Sequence, residues 1–204
     1  MTEMIKLILA SRSPRRREIL EKVGVHPICL VPDTEEESER SAFLTPSELV
    51  MGLASRKARA AWEQYPEDVR GKDRVLLAAD TIVYLNGEVL EKPKDGNDAK
   101  RMLSELSGRS HSVFTGMAAV FDGRLVVDCM QTRVWFRSLS EQEIDDYLAT
   151  GEPMDKAGAY AVQQKGSLFV SRIDGDYFNV VGLSACGTDR MLRDAFGFGL
   201  SDCE

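Results

Sequence analysis

The sequence predicts an α/β protein whose strands form a mixed β-sheet flanked by helices. Apolar runs of strand length alternate with amphipathic patterns of helical period, which is typical of βα units. In addition, Asn86-Gly87 and Asp122-Gly123 are two-residue turns that join antiparallel strands, and a purely parallel sheet contains no such hairpins. The 204 residues suffice for one sizeable core, so we expect a single domain over residues 1–204.

Helix-start signals divide the first half of the chain into elements. Ser13 is placed to cap a helix whose first residue is Pro14, and Thr45 with Glu48 forms a capping box ahead of a second apolar stripe. A long apolar strand then leads into the Asn86-Gly87 turn. We therefore predict a strand over 4–9, a helix over 15–23, a strand over 26–31, a helix over 46–62, and strands over 75–85 and 88–91.

The same signals locate the elements of the second half. Ser140 and Glu143 form another capping box, and Asp122-Gly123 separates two long strand-like segments. The predicted elements are a helix over 98–106, strands over 112–121 and 125–136, a helix over 141–151, a strand over 167–173 and a last helix over 182–196. The tail from residue 197 is predicted to be frayed, as chain ends usually are.

Composition excludes several classes of protein. The net charge of −7 disfavours a general nucleic-acid binder, and no apolar run approaches the roughly 20 residues that a membrane helix needs. The chain enters a strand within a few residues, so no signal peptide is expected. The cysteines lie far apart without a CxxC pair, which predicts neither a zinc site nor a disulfide framework but a cytoplasmic setting. They are Cys29, Cys129, Cys186 and Cys203.

Ser11 to Arg16, between the first strand and the first helix, is a candidate anion site. A helix start presents unpaired backbone N–H groups and the positive end of the helix dipole. Ser11, Ser13, Arg15 and Arg16 add hydroxyl and guanidinium donors at the same place. Together these groups are suited to a chain of phosphates. The alternative is a capped surface helix with solvated arginines.

Asp80 is the second candidate, because it interrupts an otherwise apolar strand. A buried carboxylate without a partner is too costly to be incidental. One interpretation is a general base or metal-linked carboxylate at the end of a strand, with Thr81 beside it. The other is an ion pair with Lys92, Lys94 or an arginine.

Two further positions bear polar side chains beside turns. Pro93 stiffens the exit of the hairpin and fixes the direction of Lys92, which would suit a phosphate partner; the alternative is an ordinary surface lysine. Gln163 lies in a polar, glycine-bearing stretch, and its amide can both donate to and accept from the edge of a base; the alternative is a plain turn.

Other phosphate or nucleophile motifs are missing from the sequence. There is no Gly-x-x-x-x-Gly-Lys-Ser/Thr and no Gly-x-Gly-x-x-Gly, so neither a P-loop nor a Rossmann site is supported. The histidines, His26 and His111, fall at predicted strand starts, and there is no Gly-x-Ser-x-Gly elbow. A Ser-His-Asp hydrolase is therefore disfavoured.

Seven short motifs occur in a fixed order along nearly the whole chain. They are Ser-x-Ser-Pro-Arg-Arg (11–16), Leu-Ala-x-x-Lys-Ala (53–58), Ala-Asp-Thr (79–81), Lys-Pro (92–93), Leu-Ser-Gly-Arg-x-His-x-Val-x-Thr (106–115), Met-Asp-Lys-Ala-Gly-Ala-Tyr (154–160) and Asp-Gly-Asp-Tyr (174–177). In this order the chain resembles the Maf family of nucleoside triphosphate pyrophosphatases.

The resemblance implies a fold and a reaction. The fold is similar to that of inosine triphosphate pyrophosphatases, with two lobes around a cleft. The reaction is hydrolysis of a nucleoside triphosphate to the monophosphate and pyrophosphate with a divalent cation, Mg²⁺ or Mn²⁺. A homodimer is also implied.

The resemblance also assigns roles to residues of this sequence. The proton acceptor is Asp80. The phosphate and metal neighbourhood consists of Ser11, Arg15, Glu36, Lys57 and Lys92, with Glu36 and Asp80 as the metal ligands. The positions that distinguish the dTTP- and UTP-specific branch are Arg15, Thr81 and Gln163, all of which match that branch. Departures from the family pattern are Ala161, Gln164 and Ser184, where the family tends to have Gly, Gly and Pro.

Two rival functions remain open at the level of the sequence. One is a nucleotide-sensing regulator of cell division that binds without significant turnover. The complete set of Asp80, Lys57 and Lys92 favours the enzyme, because a sensor needs no general base. The other is a different phosphohydrolase, such as a phosphomonoesterase, whose product would be inorganic phosphate rather than pyrophosphate.

Overall fold

The computed structural model describes residues 4–34 and 45–204 and has the α/β architecture that the sequence predicts. Within these residues the strands form one seven-stranded sheet in the order β2-β1-β3-β5-β6-β7, with β4 paired to β3. The strands are β1 (Lys6–Ala10), β2 (Ile28–Leu30), β3 (Arg74–Leu85), β4 (Glu88–Leu90), β5 (Ser110–Phe121), β6 (Arg124–Phe136) and β7 (Val170–Asp174).

Strand directions confirm that the sheet is mixed. Strand β1 pairs in parallel with both β2 and β3, whereas β3 and β4 are antiparallel, as are β6 and β7. Both hairpin turns have the left-handed backbone that two-residue turns require, with φ of 50° at Asn86 and 49° at Asp122. In the β1–β3 register Ala10 lies opposite Ala78, so the carboxyl end of β1 lies beside the residues that precede Asp80.

Three helices begin at the caps that the sequence places, directly after Ser13, Thr45 and Ser140. The helices are α1 (Pro14–Lys22), α2 (Pro46–Gln64), α3 (Pro66–Val69), α4 (Gly96–Leu106), α5 (Glu141–Leu148), α6 (Tyr177–Val181) and α7 (Ala185–Phe196). The capping boxes of α2 and α5 are both formed, through Thr45 with Glu48 and Ser140 with Glu143. Ser13 occupies the N-cap of α1 with extended backbone, but its side chain makes no capping hydrogen bond.

Three predicted boundaries in the last third of the chain were wrong. The helix predicted over 141–151 ends at Leu148. The strand predicted over 167–173 begins only at Val170, because Lys165–Phe169 forms a 3₁₀ turn. The helix predicted over 182–196 begins at Ala185, because Ser184 is its cap and accepts a hydrogen bond from the Gly187 N–H at 2.8 Å. Residue Gly182, at φ 137°, separates this helix from the short α6.

The chain end is paired with β1, whereas the sequence predicts a frayed tail. The Leu7 N–H donates to the Glu204 carbonyl at 3.1 Å, and the Glu204 N–H donates to the Ile5 carbonyl at 2.8 Å. The side chains of Leu200 and Cys203 are buried. Burial of these side chains and the backbone pairing explain why the end is held.

The described residues fall into two compact units, each with its own apolar cluster. The first unit comprises residues up to 80 together with 115–130 and 182–204, and the second comprises 81–114 and 131–181. Small side chains dominate the cluster of the first unit, including Ala54 and Ala58 of α2. Larger ones fill the second, including Phe136 and Tyr160. The single domain and the cleft between lobes stay predictions.

The helices can be compared with what a membrane span requires. In the parts of the chain that the structure describes, every helix is too short or too polar to span a bilayer.

Candidate active site

The β1–α1 turn of the first unit is held together by Arg16. Its Nη1 donates to the Ser11 hydroxyl at 3.2 Å, and that hydroxyl also accepts from the Ser13 N–H at 3.1 Å. The Arg16 Nε donates to the Gly182 carbonyl at 2.8 Å, ahead of α7. Burial lowers the pKa of Arg16, while the negative charge of Asp80 acts in the opposite direction. Arg16 is therefore an internal brace of the turn.

The other arginines of the turn differ in their surroundings. Arg17 donates to Glu21 at 2.7 Å on the exposed face of α1, and Arg12 lies 3.8 Å from Asp33 with its side chain largely in solvent. Arg15 is half-buried. The turn predicted to hold an anion is thus formed, with Arg15 and Arg16 as its less exposed cations.

Asp80 forms an ion pair with Lys57 of α2. The Lys57 ammonium donates to Asp80 Oδ1, and the two side chains are only 26% and 18% exposed. Lys57 is a partner that was not suggested for this ion pair from the sequence, and the charge of Asp80 also acts on Arg16. Lys57 lies at the edge of the apolar stripe of α2, as predicted, between the buried Ala54 and Ala58.

Helix α2 is fixed close to the sheet, which places Lys57. A Cβ added at Gly116 of β5 would lie 2.2 Å from the Val50 carbonyl oxygen of α2. Real Cβ atoms do not approach so closely, so only glycine allows this contact between helix and strand. The ion pair is therefore supported by backbone packing that no larger residue would permit.

In the second unit, Lys92 follows the hairpin and is exposed, while Pro93 beside it is buried. The carbonyl of Glu91 accepts a hydrogen bond from the Gly158 N–H at 3.0 Å. A Cβ at Gly158 would lie 2.9 Å from the Val83 side chain, and its φ is 69°. The backbone leading to Lys92 is therefore fixed against the 154–160 motif.

Thr81 follows Asp80 directly in β3 and is half-buried. Gln163 is exposed and lies in the loop 161–166.

Two residues that the sequence analysis missed hold this loop. The Tyr147 hydroxyl accepts from the Ala161 N–H at 3.2 Å and donates to Glu152 Oε1 at 2.8 Å. The Glu152 carboxylate also accepts from the N–H groups of Lys165 at 3.2 Å and Gly166 at 3.1 Å. No sequence signal distinguished them, because a tyrosine on the apolar face of a helix has the pattern of a core residue.

His111 lies in the core of the second unit rather than at a nucleophile. Its Nε2 is 2.8 Å from the Tyr160 hydroxyl oxygen, and its ring packs edge-on against Phe136 and Tyr160. Burial lowers the pKa of His111 to about 4, so the ring is neutral near pH 7. His111 is therefore a core residue of the second unit.

A comparison with protein-family models decides the affiliation of the chain. The model described as Maf-like protein matches residues 6–195. The chain belongs to the Maf-like protein family. The resemblance drawn from the seven motifs is thereby confirmed.

Proteins named dTTP/UTP pyrophosphatase are similar to this Maf-like protein over nearly its full length. The one from Symbiobacterium thermophilum is 47% identical over 195 residues and covers 96% of both chains. The one from Caldanaerobacter subterraneus subsp. tengcongensis is 45% identical and covers 95% of this chain and 90% of its own. The one from Bacillus cereus is 44% identical and covers 97% of both.

Solved structures with a partly similar fold include one from Staphylococcus aureus. The Staphylococcus aureus Ham1 protein aligns with 64% of this chain and 71% of its own, at a TM-score of 0.44 and 16% identity.

The carboxylates available for a divalent cation are few in the described part of this Maf-like protein. Glu36, predicted as a metal ligand, lies outside the described residues. Among the described residues no group of three or more His, Cys, Asp or Glu side chains is arranged to hold a metal. Asp80 offers one carboxylate, and it lies in the middle of β3 rather than at the end of a strand as predicted. This donor set fits Mg²⁺, which proteins hold through one or two carboxylates together with substrate phosphates.

Proposed function

We propose that this Maf-like protein hydrolyses nucleoside triphosphates, with dTTP and UTP as preferred substrates, to the monophosphate and pyrophosphate. The observation that carries the proposal is the half-buried ion pair of Asp80 and Lys57. It lies in the first unit, and Asp80 is two residues beyond Ala78, which pairs with Ala10 just before the Ser11–Arg16 turn. The names of the relatives, which span nearly the same length, support the substrate.

The phosphate chain is proposed to bind at the start of α1. The first N–H groups of that helix have no partner within it, and the positive end of its dipole favours an anion. Ser11, Ser13 and Arg15 supply further donors, while Arg16 holds the Ser11 hydroxyl and the Gly182 carbonyl in place. Lys57 adds positive charge beside Asp80.

Asp80 is proposed to take the proton of the attacking water. Its Oδ1 is bonded to the Lys57 ammonium, which fixes the orientation of the carboxylate. A water hydrogen-bonded to this carboxylate attacks the α-phosphorus, and the bond from that phosphorus to the bridging oxygen breaks. Pyrophosphate leaves, and the proton of the water passes to the carboxylate. Positive charge on Lys57 offsets charge that develops on the phosphate oxygens.

A divalent cation, Mg²⁺ or Mn²⁺, is part of the proposal. When bound, it supplies charge neutralisation and alignment of the phosphate oxygens. Asp80 is the described carboxylate suited to hold it, and Glu36 is proposed as a second ligand because it falls at the matching place of the family pattern. Two cations of the protein in the first unit, Lys57 and Arg16, are held in position by hydrogen bonds.

Base preference and the remaining contacts rest on the family pattern. Arg15, Thr81 and Gln163 are proposed to distinguish thymine and uracil from other bases, and Lys92 to bind phosphate. A homodimer and a cytoplasmic location are also proposed. The four cysteines are free thiols, two of them exposed, which supports a reducing compartment.

The test is a product analysis over a panel of canonical and modified nucleoside triphosphates with Mg²⁺ or Mn²⁺. Monophosphate, pyrophosphate and inorganic phosphate are quantified separately. Pyrophosphate from dTTP and UTP supports both the reaction and the base preference. Pyrophosphate from modified purines alone would keep the reaction and reject the base preference. Inorganic phosphate would mean attack at the γ-phosphorus, and tight binding without turnover would favour the regulator.

A further inference from the structure

We propose that Tyr147 and Glu152 form a clamp that positions Gln163 for discrimination between bases. The proposal rests on the proposed function, which assigns recognition of the base to Gln163. The clamp itself stands on contacts within the second unit.

The two side chains close the base of the loop 161–166. The Tyr147 hydroxyl accepts a hydrogen bond from the backbone N–H of the first residue of the loop at 3.2 Å. The Glu152 carboxylate accepts from the N–H groups of the last two residues of the loop at 3.1–3.2 Å. The hydroxyl of Tyr147 donates to Glu152 at 2.8 Å and so joins the two halves. Backbone bonds from Gln164 to the Ala161 carbonyl and from Ser167 to the Gln164 carbonyl complete the loop.

Gly166 shows how closely the two ends of the loop meet. A Cβ at this position would lie 2.8 Å from the Ala161 carbonyl oxygen and 2.9 Å from the Tyr147 hydroxyl oxygen. Only glycine allows the Ala161 end and the Gly166 end to touch. Gln163 and Gln164 are exposed between these fixed ends.

The strongest hydrogen bond of the clamp is the one that joins the Tyr147 hydroxyl to the Glu152 carboxylate at 2.8 Å. Burial, together with the hydrogen bond to Glu152, raises the pKa of Tyr147, so its hydroxyl stays protonated and donates a hydrogen bond to the carboxylate. Hydrogen bonds that involve an ionised carboxylate are shorter and stronger than those between neutral groups. The loop therefore presents Gln163 from a defined backbone position.

A defined position matters because an amide can pair in two ways. Uracil presents an N3–H donor and an O4 acceptor, which an amide matches with its oxygen and its NH₂ group. Cytosine presents the inverted pattern, which the same amide matches if it can shift and turn over. The amide can turn over about its own side-chain bond, so the loop acts on its position: a held loop keeps the amide where it matches uracil, and a loosened loop lets it shift to match cytosine as well. The clamp should therefore govern the preference for UTP over CTP more than turnover.

The first variant is Glu152→Gln, which keeps the size of the side chain but presents an NH₂ group towards backbone N–H donors. We expect the ratio of kcat/KM for UTP to that for CTP to fall about tenfold, the typical effect of one well-placed polar contact, with kcat for UTP within about threefold of wild type. Tyr147→Phe should act in the same direction. Glu141→Gln, on an exposed residue at the start of α5, is the matched control and should leave the ratio unchanged.

A double-variant cycle separates positioning from general loss of structure. If Glu152 acts through Gln163, Glu152→Gln has no further effect on the UTP-to-CTP ratio when Gln163 is already replaced by alanine. Partial unfolding would instead lower kcat/KM for both nucleotides equally. Inhibition by pyrophosphate, which carries no base, should be the same in Glu152→Gln as in wild type.

Three results would overturn the clamp. The first is an unchanged UTP-to-CTP ratio in Glu152→Gln. The second is a fall of this ratio on Glu152→Gln that is as large in the Gln163→Ala background as in wild type, and the third is weaker inhibition of Glu152→Gln by pyrophosphate. Wild-type protein that releases no pyrophosphate from any nucleotide would instead overturn the proposed function. In that case the ratio of dissociation constants for UTP and CTP, which needs no turnover, tests the clamp by the same comparison of variants. Wild-type protein that binds neither nucleotide would overturn both.

Discussion

Replacing Asp80 with asparagine removes the proposed proton acceptor while keeping the shape of the side chain. In the native protein the carboxylate accepts from the ammonium of Lys57, and both side chains are largely shielded from water. The asparagine carbonyl can still accept from Lys57, so the hydrogen bond persists without its charge. The substitution thus separates chemistry from packing.

The expected cost in stability is modest. Removing one partner of a fully buried ion pair costs about 3–5 kcal/mol. Here Lys57 retains 26% of its exposure and an oxygen acceptor, so we expect about 1–2 kcal/mol. A protein with a stability of about 5–15 kcal/mol stays folded after such a loss. Turnover, in contrast, should fall by about 100-fold or more, because a general base contributes at least that factor.

The assay measures pyrophosphate released from UTP, alongside thermal unfolding of the same samples. Asp73→Asn is the matched control, because Asp73 immediately precedes the same strand and pairs loosely with Lys6 at 3.6 Å. Exposed pairs of this kind contribute about 0–1 kcal/mol, so the control should keep its activity. A folded Asp80→Asn protein with more than about a third of wild-type turnover would refute the role of Asp80.

Three further predictions concern stability. Arg16→Ala should lower the free energy of unfolding by about 1–3 kcal/mol in urea, because the Gly182 carbonyl loses its donor. Gly116→Ala should lower it by about 3 kcal/mol or more, measured as a fall in melting temperature, since the new Cβ would collide with Val50. Burial lowers the pKa of His111 to about 4, so the neutral ring stabilises the fold fully above pH 6.5 and this contribution is lost as the pH falls towards 4. Between pH 6.5 and 4 the free energy of unfolding should therefore fall less steeply with decreasing pH in His111→Gln than in wild type, by up to about 1.4 kcal/mol per pH unit.

Each of these three predictions has a control variant in which a residue of the same type is replaced elsewhere in the chain. Arg17→Ala, on the exposed face of α1, should change stability by less than about 0.5 kcal/mol, and an equal effect of Arg16→Ala would mean that Arg16 is no brace. Gly96→Ala meets nothing within 4 Å, and a Gly116→Ala protein as stable as this control would contradict the close contact. His26 is exposed, so a slope that falls as much in His26→Gln as in His111→Gln would contradict the pH argument.

Elements with local signals could be predicted from the sequence, and those without could not. The start of α2 follows from Thr45 and Glu48, which are three residues apart and bond each other directly. The pairing of the tail with β1 has no such signal, because Glu204 and Ile5 meet only through the fold. The late start of α7 was missed because Ser184, two residues after the predicted start, is its true cap.

The candidate site shows the same division. Asp80 stood out because a carboxylate within an apolar strand demands a partner. Which cation would provide it depends on how α2 packs on the sheet, and Lys57, 23 residues earlier, could not be chosen over the others from spacing. Tyr147 and Glu152 gave no signal, because their role depends on backbone N–H groups of a loop.

The central claim is that water attacks the α-phosphorus with Asp80 as the proton acceptor. Hydrolysis of UTP in water enriched in oxygen-18, followed by mass spectrometry of both products, tests it most directly. The account predicts that the label enters UMP and that the pyrophosphate stays unlabelled. Label in the pyrophosphate would mean attack at the β-phosphorus and would contradict the account.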